Sequence, residues 1–242
     1  MQFQPSLIEA RLIRRYKRFL ADMEIGGETV TVHCPNPGSM LGLAAPGNRA
    51  WLTPKTGTKL PYAWEIVETG PQSPIPGALA GIHTGRANAL VAEALRSGLW
   101  PDLPNATIQP EVKVGPRLIG ETESRLDFRL AGVDGAPCWV EVKSVTLSRR
   151  AGLAEFPDAR TARGARHLAE LSLLAQAGQR AVLLFLVQRS DCGSVAVAAD
   201  IDPGYAQALA LARAQGVEIR AFSCRIDTSG IDAGPEIAFI QP

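Results

Sequence analysis

Cysteine, aromatic residues and net charge are all scarce in this chain. Its 242 residues include four cysteines and 6% aromatic residues, and 25 Lys plus Arg stand against 24 Asp plus Glu. The cysteines lie far apart without a C-x-x-C pair, which argues against a zinc knuckle and a disulfide framework. Because the formal net charge is only +1, any binding of nucleic acid must rely on local basic patches.

A leader-like start and long apolar runs are also lacking. Residues 1–9 do not combine a basic segment with an apolar one, and no run approaches the roughly 20 apolar residues of a membrane helix. We therefore expect a cytoplasmic protein with reduced thiols and no membrane partner. The 46% of hydrophobic residues is enough for one large core or two small ones.

Several short β-like segments occupy the N-terminal part of the chain. They are LIEARLIRRYKRFLADMEI, ETVTVHC, NRAWLT and LPYAWEIVE, separated by the turn sequences GG, PNPG and APGN. This pattern predicts a small antiparallel β-barrel. The Pro- and Gly-rich stretch 69–80 predicts a linker or loop, so we place a first domain at 1–80 and a second at 81–242.

The second domain alternates helical and strand-like patterns. Helices are predicted at 88–97, 161–177 and 203–215, and strands at 108–114, 124–130, 138–145, 181–187 and 217–226. The resulting order is α-β-β-β-α-β-α-β, which predicts a mixed sheet flanked by helices.

Three charged residues lie among apolar neighbours in two of the predicted strands. Asp127 lies in SRLDFRL, and Glu141 and Lys143 lie in CWVEVKSV. Glu141 and Lys143 share a face because strand side chains alternate. Buried charge needs compensation, and two carboxylates plus the Val142 carbonyl would supply oxygen ligands for Mg²⁺ or Mn²⁺. Lys143 would then orient or deprotonate the attacking water, and the expected reaction is phosphodiester hydrolysis.

The same residues have a simpler interpretation. Glu141 and Lys143 would form an ion pair at a sheet edge, and Asp127 would be satisfied by Arg125 or Arg129. The residues alone leave both interpretations open.

The spacing of Asp127 and the Glu-x-Lys pair resembles that of the PD-(D/E)XK nuclease superfamily, whose core is also α-β-β-β-α-β. The resemblance implies that Asp127, Glu141 and Lys143 are catalytic, with the two carboxylates as metal ligands. It also implies that Glu93, on the preceding helix, completes the metal site.

Longer segments resemble the sugar fermentation stimulation protein A family. They are RLIRRYKRFLADMEI, VHCPNPGSM, PYAWEIVE, SRLDF, VEVKSVTL and AEFPDARTARGARHLAEL, and the match covers most of the chain. The resemblance implies an N-terminal OB-fold, a C-terminal restriction-endonuclease-like domain, DNA binding and a link to maltose utilisation. Two departures are Pro37, where the family pattern has Thr, and IHTGRAN, where VNTQLPN is more usual.

Two groups of basic residues are candidates for DNA binding. In the first, Tyr16 and Phe19 are interleaved with five cations, a pattern that suits phosphate tracking and base stacking; the alternative is a solvated strand edge. These cations are Arg11, Arg14, Arg15, Lys17 and Arg18. In the second, Arg160, Arg163 and His167 share a helical face; the alternative is an ordinary solvated face.

Three further polar sites have local interpretations. Asp158 could cap the following helix or lie near the metal, and capping is the commoner role of an Asp in this place. Asn36 and Gly38 predict a structural turn after His33. Gln188 follows a buried strand, where it either reaches the site or ends the strand.

Three functions compete at this point. The first is a Mg²⁺-dependent DNA nuclease with an OB-fold that holds the nucleic acid. The second is a DNA-binding regulator of sugar (maltose) catabolism that keeps the nuclease fold as a scaffold. The third is an RNA-acting enzyme or a protein-interaction module, because an OB-fold alone does not select DNA. A homodimer is a further expectation.

Overall fold

The N-terminal part of the protein is a β-barrel. The computed structural model describes residues 1–114, 124–133 and 135–241. The first strands are β1 (Ile8–Tyr16), β2 (Leu20–Ile25), β3 (Glu28–His33), β4 (Arg49–Pro54), β5 (Tyr62–Glu68) and β6 (Leu79–Gly81). They pair in the order β3-β2-β1-β4-β5-β6, and a β3–β5 pairing at His33 and Ala63 closes the first five into a barrel. This closure is that of an OB-fold, so the predicted N-terminal fold is confirmed.

The C-terminal part is a mixed sheet with helices on both faces. Its elements are α1 (Arg86–Arg96), β7 (Thr107–Val114), β8 (Ser124–Ala131), β9 (Pro137–Val145), β10 (Leu147–Arg150), β11 (Gly152–Phe156), α2 (Ala162–Gln176), β12 (Arg180–Val187), β13 (Cys192–Val197), α3 (Pro203–Ala214), β14 (Glu218–Ile226), β15 (Ile231–Glu236) and β16 (Ala238–Ile240). The large sheet has the order β15-β14-β12-β9-β8-β7. Strand β12 runs parallel to β9 and β14, and the outer strands are antiparallel, so the predicted mixed sheet is confirmed.

The apolar residues of the sheet are divided between two cores. Val140, Val142 and Leu184 pack with α1, whereas Leu183 and Phe185 pack with α2 and α3. Strand β12 is buried on both faces, as expected of a central strand whose sequence is continuously apolar.

A second, smaller sheet is absent from the sequence-based prediction. It has the order β10-β11-β13-β16 and contains strands of three to six residues. The hairpin of β10 and β11 turns at Gly152, where φ is +77°, and its sequence LSRRAGLAEF has no regular alternation. Parallel pairing of β11 with β13 joins segments about forty residues apart, which local patterns do not reveal.

The barrel and the mixed sheet share a core. Trp51 and Ile66 of the barrel belong to the same apolar cluster as Leu90 of α1 and Phe128 of β8. The predicted linker 69–80 ends inside β6, and the Gly81 N–H donates to the Gln188 carbonyl at 3.0 Å. These contacts pack the barrel against α1 and the mixed sheet.

All four cysteines are buried free thiols. Across 1–114, 124–133 and 135–241, no helix has the length and apolar character needed to cross a membrane.

Candidate metal and nucleic-acid site

The candidate site lies where β8 and β9 separate. Their antiparallel register runs from Ala131 and Pro137 to Phe128 and Val140 and ends there. Beyond that pair, the Asp127 side chain bridges the gap, and its Oδ2 accepts a hydrogen bond from the Val142 N–H at 2.7 Å. In an extended strand the N–H and C=O of one residue point to the same side. The Val142 carbonyl therefore also points towards Asp127.

Asp127 is held in a polar but largely buried position. Its Oδ1 accepts a hydrogen bond from the Asn88 amide of α1 at 2.8 Å. Burial, and after it the negative charge of Glu141, raises the pKa of Asp127 to about 6. The hydrogen bonds from Val142 and Asn88 oppose this rise. The predicted partners Arg125 and Arg129 do not supply these contacts.

Glu141 is buried with cationic and imidazole partners. Its Oε1 accepts a hydrogen bond from Lys143 Nζ at 2.7 Å and also contacts His167 Nδ1. Burial raises the pKa of Glu141, but the hydrogen bond from His167 and the charge of Lys143 more than offset it, so the net shift is downward. The second oxygen, Oε2, is buried without a hydrogen-bond partner in the described structure, which is a costly state for a carboxylate oxygen.

His167 is the functional residue that the sequence-based interpretation misplaced. The sequence predicts that His167 shares a phosphate-contacting or solvated helical face with Arg160 and Arg163, but its side chain is buried against Glu141. Its Nε2 accepts a hydrogen bond from Arg163 Nε at 3.3 Å, which leaves Nδ1 to carry the proton towards Glu141. The spacing to Leu171 and Leu174 (i, i+4, i+7) placed His167 on the apolar face and was the signal that could have found this role.

The assignment of Glu93 as a metal ligand is not supported by the structure. Its carboxylate is 59% exposed and lies 3.0 Å from the amino group of Met1, outside the site. Asn88 is the α1 residue that reaches Asp127. Gln188 does not line the cleft, but its amide donates to the Oγ of Ser144, a lining residue, at 2.7 Å.

A cleft of about 430 Å³ opens over these residues, between the barrel and the mixed sheet. Asp127, Glu141, Val142 and Lys143 form part of its lining. The other charged residues in the lining are Arg18, Glu155, Asp158, Arg160 and Arg163. The lining therefore contains four carboxylates and four cations, with cations contributed by the barrel and by the C-terminal part.

Loop 36–40 of the barrel closes one side of the cleft. The Asn36 Oδ1 accepts a hydrogen bond from the Gly38 N–H at 2.8 Å, as expected for the predicted structural turn. Asp158 accepts a hydrogen bond from the Met40 N–H at 3.0 Å. The predicted capping role of Asp158 is wrong, since the Thr161 Oγ1 caps α2 by accepting a hydrogen bond from the Gly164 N–H.

The predicted DNA-binding cations occupy different environments. Arg18, Arg160 and Arg163 line the cleft. Arg15 is largely occupied by carbonyl groups of the barrel loops, and Arg14 forms an ion pair with Asp22 at 2.8 Å. The other two, Arg11 and Lys17, are exposed on the barrel and do not line the cleft.

The barrel and the C-terminal part each match a known protein family model. Residues 13–82 match a family model described as the SfsA N-terminal OB domain, and residues 85–230 match the sugar fermentation stimulation protein RE domain. This chain belongs to the sugar fermentation stimulation protein family. It is 49% identical to the homolog from Ruegeria pomeroyi, with 96% of this chain and 98% of that one covered. It is 51% identical to a Pseudomonas putida homolog, with coverages of 96% and 95%.

A solved structure from the same family has the same fold. It is described as Pyrococcus furiosus SfsA in complex with Ca²⁺, and it aligns with a TM-score of 0.85 at 29% identity. The alignment covers 99% of this chain and 98% of that one.

The residues of this family member fit an oxygen-ligated divalent cation. Asp127 and Glu141 lie close enough for the charge of one to raise the pKa of the other. The unpartnered Oε2 of Glu141 and the Val142 carbonyl are oxygen atoms of the kind that Mg²⁺ prefers. Within the described ranges, however, no three His, Cys, Asp or Glu side chains cluster as metal ligands, so main-chain oxygen and water must complete any coordination shell.

Proposed function

We propose that this protein binds DNA in the cleft and hydrolyses phosphodiester bonds with Mg²⁺ or Mn²⁺. The observation that carries the proposal is the convergence of Asp127, Glu141 and the Val142 main chain at the point where β8 and β9 separate. Buried carboxylates with perturbed pKa values in a cleft are typical of functional sites. The resemblance of Asp127, Glu141 and Lys143 to the nuclease superfamily pattern supports the same reaction.

Each residue of the site has a distinct role in this proposal. Asp127 and Glu141 hold the cation, with the Val142 carbonyl, through oxygen atoms. Asn88 and His167 orient the two carboxylates by hydrogen bonds, as residues around a metal site commonly do. When bound, the cation stabilises negative charge on the phosphate and lowers the pKa of its bound water.

Lys143 is the residue assigned to the attacking water. It lies two positions after Glu141 on the same face of β9, and its Nζ is 2.7 Å from Glu141 Oε1. Its side chain lines the cleft beside both carboxylates. From this position its ammonium group can hold and orient the attacking water by hydrogen bonding.

A cleavage assay tests the proposal directly. Purified protein with Mg²⁺ or Mn²⁺ is expected to nick or degrade at least one form of DNA among supercoiled, linear, tailed and single-stranded substrates. EDTA is expected to stop the reaction and leave DNA binding detectable. Intact DNA of every form in both metals, with binding retained, contradicts the catalytic part of the proposal.

We assign the phosphate contacts of bound DNA first to the cations that line the cleft. Because each phosphate contact releases about 0.9 counterion, loss of one contact lowers the slope of log affinity against log salt by about 1. We expect Arg160→Ala to produce this change, measured by fluorescence anisotropy in EDTA. Arg225→Ala removes an exposed arginine paired with Asp232 outside the cleft and serves as control. An unchanged slope in Arg160→Ala contradicts the assignment. The same measurement on Arg11→Ala and Arg14→Ala tests whether the outer barrel surface contacts phosphate.

A second candidate function is a non-catalytic, DNA-binding regulator of sugar catabolism. It is favoured by the compensation that Lys143 and His167 already give to Glu141, which lets the fold persist without a cation. In this case Glu141→Ala leaves control of sugar-utilisation genes unchanged, whereas loss of control points to catalysis. Competition between matched RNA and DNA separates both candidates from an RNA-acting protein. A homodimer and a cytoplasmic location remain predictions.

A further inference from the structure

Two large apolar side chains are exposed on the barrel loops next to the cleft. Phe19 is 46% exposed at the end of the β1–β2 turn, and Leu41 is 50% exposed after loop 36–40. Exposed apolar residues are common singly. These two lie on loops that are hydrogen-bonded to each other and to the cleft wall, so the position of both side chains is fixed by the surrounding backbone.

Arg15 joins the two loops. Its guanidinium donates hydrogen bonds to the carbonyl groups of Arg18 at 2.9 Å, Asn36 at 2.8 Å and Gly38 at 2.8 Å. The Cys34 N–H donates to the Phe19 carbonyl at 2.8 Å, which ties the turn to the end of β3. The backbone that carries Phe19 is thus anchored at several points, and its phenyl ring is presented from an ordered surface.

The surroundings of Phe19 are cationic and continuous with the cleft. Lys17 and Arg18 immediately precede it, and both have positive φ, +49° and +63°. Arg18 lines the cleft and donates to the Pro37 carbonyl at 3.0 Å. A strand of nucleic acid that follows these cations from the cleft therefore passes Phe19.

An exposed phenyl ring in such a place selects unpaired bases. Both faces of a base inside a duplex are already covered by neighbouring bases, whereas a base in a single-stranded segment offers a free face for stacking. Stacking on an aromatic side chain contributes about 1–3 kcal/mol per base and tolerates any sequence. We propose that Phe19 stacks on an unpaired base at the mouth of the cleft, so that the protein prefers DNA with a single-stranded end over blunt duplex.

This inference deepens the proposed function and rests on it for the binding of DNA, and it is tested by affinity without cleavage. In EDTA, fluorescence anisotropy compares a blunt duplex with the same duplex carrying a short single-stranded tail that contains 2-aminopurine. The tailed duplex is expected to bind more tightly and its 2-aminopurine fluorescence to be quenched. Phe19→Ala is expected to reduce the affinity for the tailed duplex about tenfold and to relieve the quenching. The affinity of Phe19→Ala for the blunt duplex should equal that of the wild type.

Matched variants separate stacking from general apolar contact. Phe19→Trp retains an aromatic face and is expected to keep the preference, whereas Phe19→Leu is expected to lose it. Leu211→Ala removes an exposed apolar side chain from α3 and should behave as the wild type. Equal affinity of the wild type for both duplexes, or an unchanged preference in Phe19→Ala, overturns the inference while leaving DNA binding intact. Absence of binding to either duplex overturns the proposed function itself.

Discussion

Replacement of Asp127 by Asn is expected to abolish cation-dependent cleavage while making the metal-free protein more stable at neutral pH. Loss of a charged ligand removes several kcal/mol of transition-state stabilisation, about a thousandfold in rate. The gain in stability arises because the folded protein must hold the Asp127 carboxylate ionised in a buried position beside Glu141. The asparagine oxygen can still accept the Val142 N–H, and Asn88 can turn its amide oxygen towards the new NH₂.

The pH dependence of the stability gain follows from the pKa of Asp127, which rises from 3.8 to about 6 on folding. Asp127 stays protonated to a higher pH in the folded state than in the unfolded state. Its ionisation therefore lowers the free energy of unfolding as pH rises from about 4 to about 6. At 1.36 kcal/mol per pKa unit, the free energy of unfolding falls by at most about 3 kcal/mol. Urea unfolding in EDTA should therefore show Asp127→Asn more stable by about 1–3 kcal/mol at pH 8 and not at pH 4.

Addition of Mg²⁺ should reverse the comparison, because a cation that binds only the folded wild type raises its stability by mass action. Asp200→Asn is a suitable control, since the Asp200 carboxylate is exposed and Arg149 holds its pKa low, at about 2. It should neither stabilise the protein nor affect cleavage. If Asp127→Asn is destabilising at pH 8 without metal, Asp127 is a structural residue and the metal site loses its main support.

The Asp127, Glu141 and Lys143 site illustrates how much of the structure the sequence could predict. Apolar periodicity located α1, α2, α3 and the strands that carry the three residues, because these elements each bury a continuous face. The choice between Asn88 and Glu93 on α1 depended on which side of that helix faces β8. Both residues are polar and lie on the same predicted helix, so the helix pattern alone does not separate the residue that contacts Asp127 from a surface residue.

The contacts between the barrel and the mixed sheet were less predictable. The sequence marked 69–80 as a linker because of its Pro and Gly content, yet the following strand β6 pairs with the barrel and contacts the segment after β12. Arg15 was expected to contact phosphate but instead donates to loop carbonyls. Such pairings depend on chain segments that are distant in sequence, and a cluster of cations has the same appearance whether it binds a ligand or its own backbone.

Replacement of Glu65 by Ala is expected to destabilise the protein by about 3–5 kcal/mol, the cost of breaking a buried ion pair by removing one partner. Glu65 of β5 is fully buried, and its carboxylate accepts hydrogen bonds from Arg86 at 2.7 and 3.1 Å and from Thr53 at 2.9 Å. The substitution leaves the Arg86 guanidinium without its carboxylate and the buried Thr53 hydroxyl without its acceptor. Urea unfolding at pH 7 measures the loss.

The Glu9–Arg49 pair provides a control of matched geometry, because it is also bidentate, at 3.1 Å for both contacts, but Glu9 is 52% exposed. Glu9→Ala should cost about 0–1 kcal/mol, and a similar small loss in Glu65→Ala contradicts the assigned role. Arg86 begins α1, and Asn88, two residues later, holds Asp127. The Glu65–Arg86 pair thus fixes the start of α1 on the barrel, and folded Glu65→Ala protein is expected to bind Mg²⁺ more weakly although Glu65 does not line the cleft.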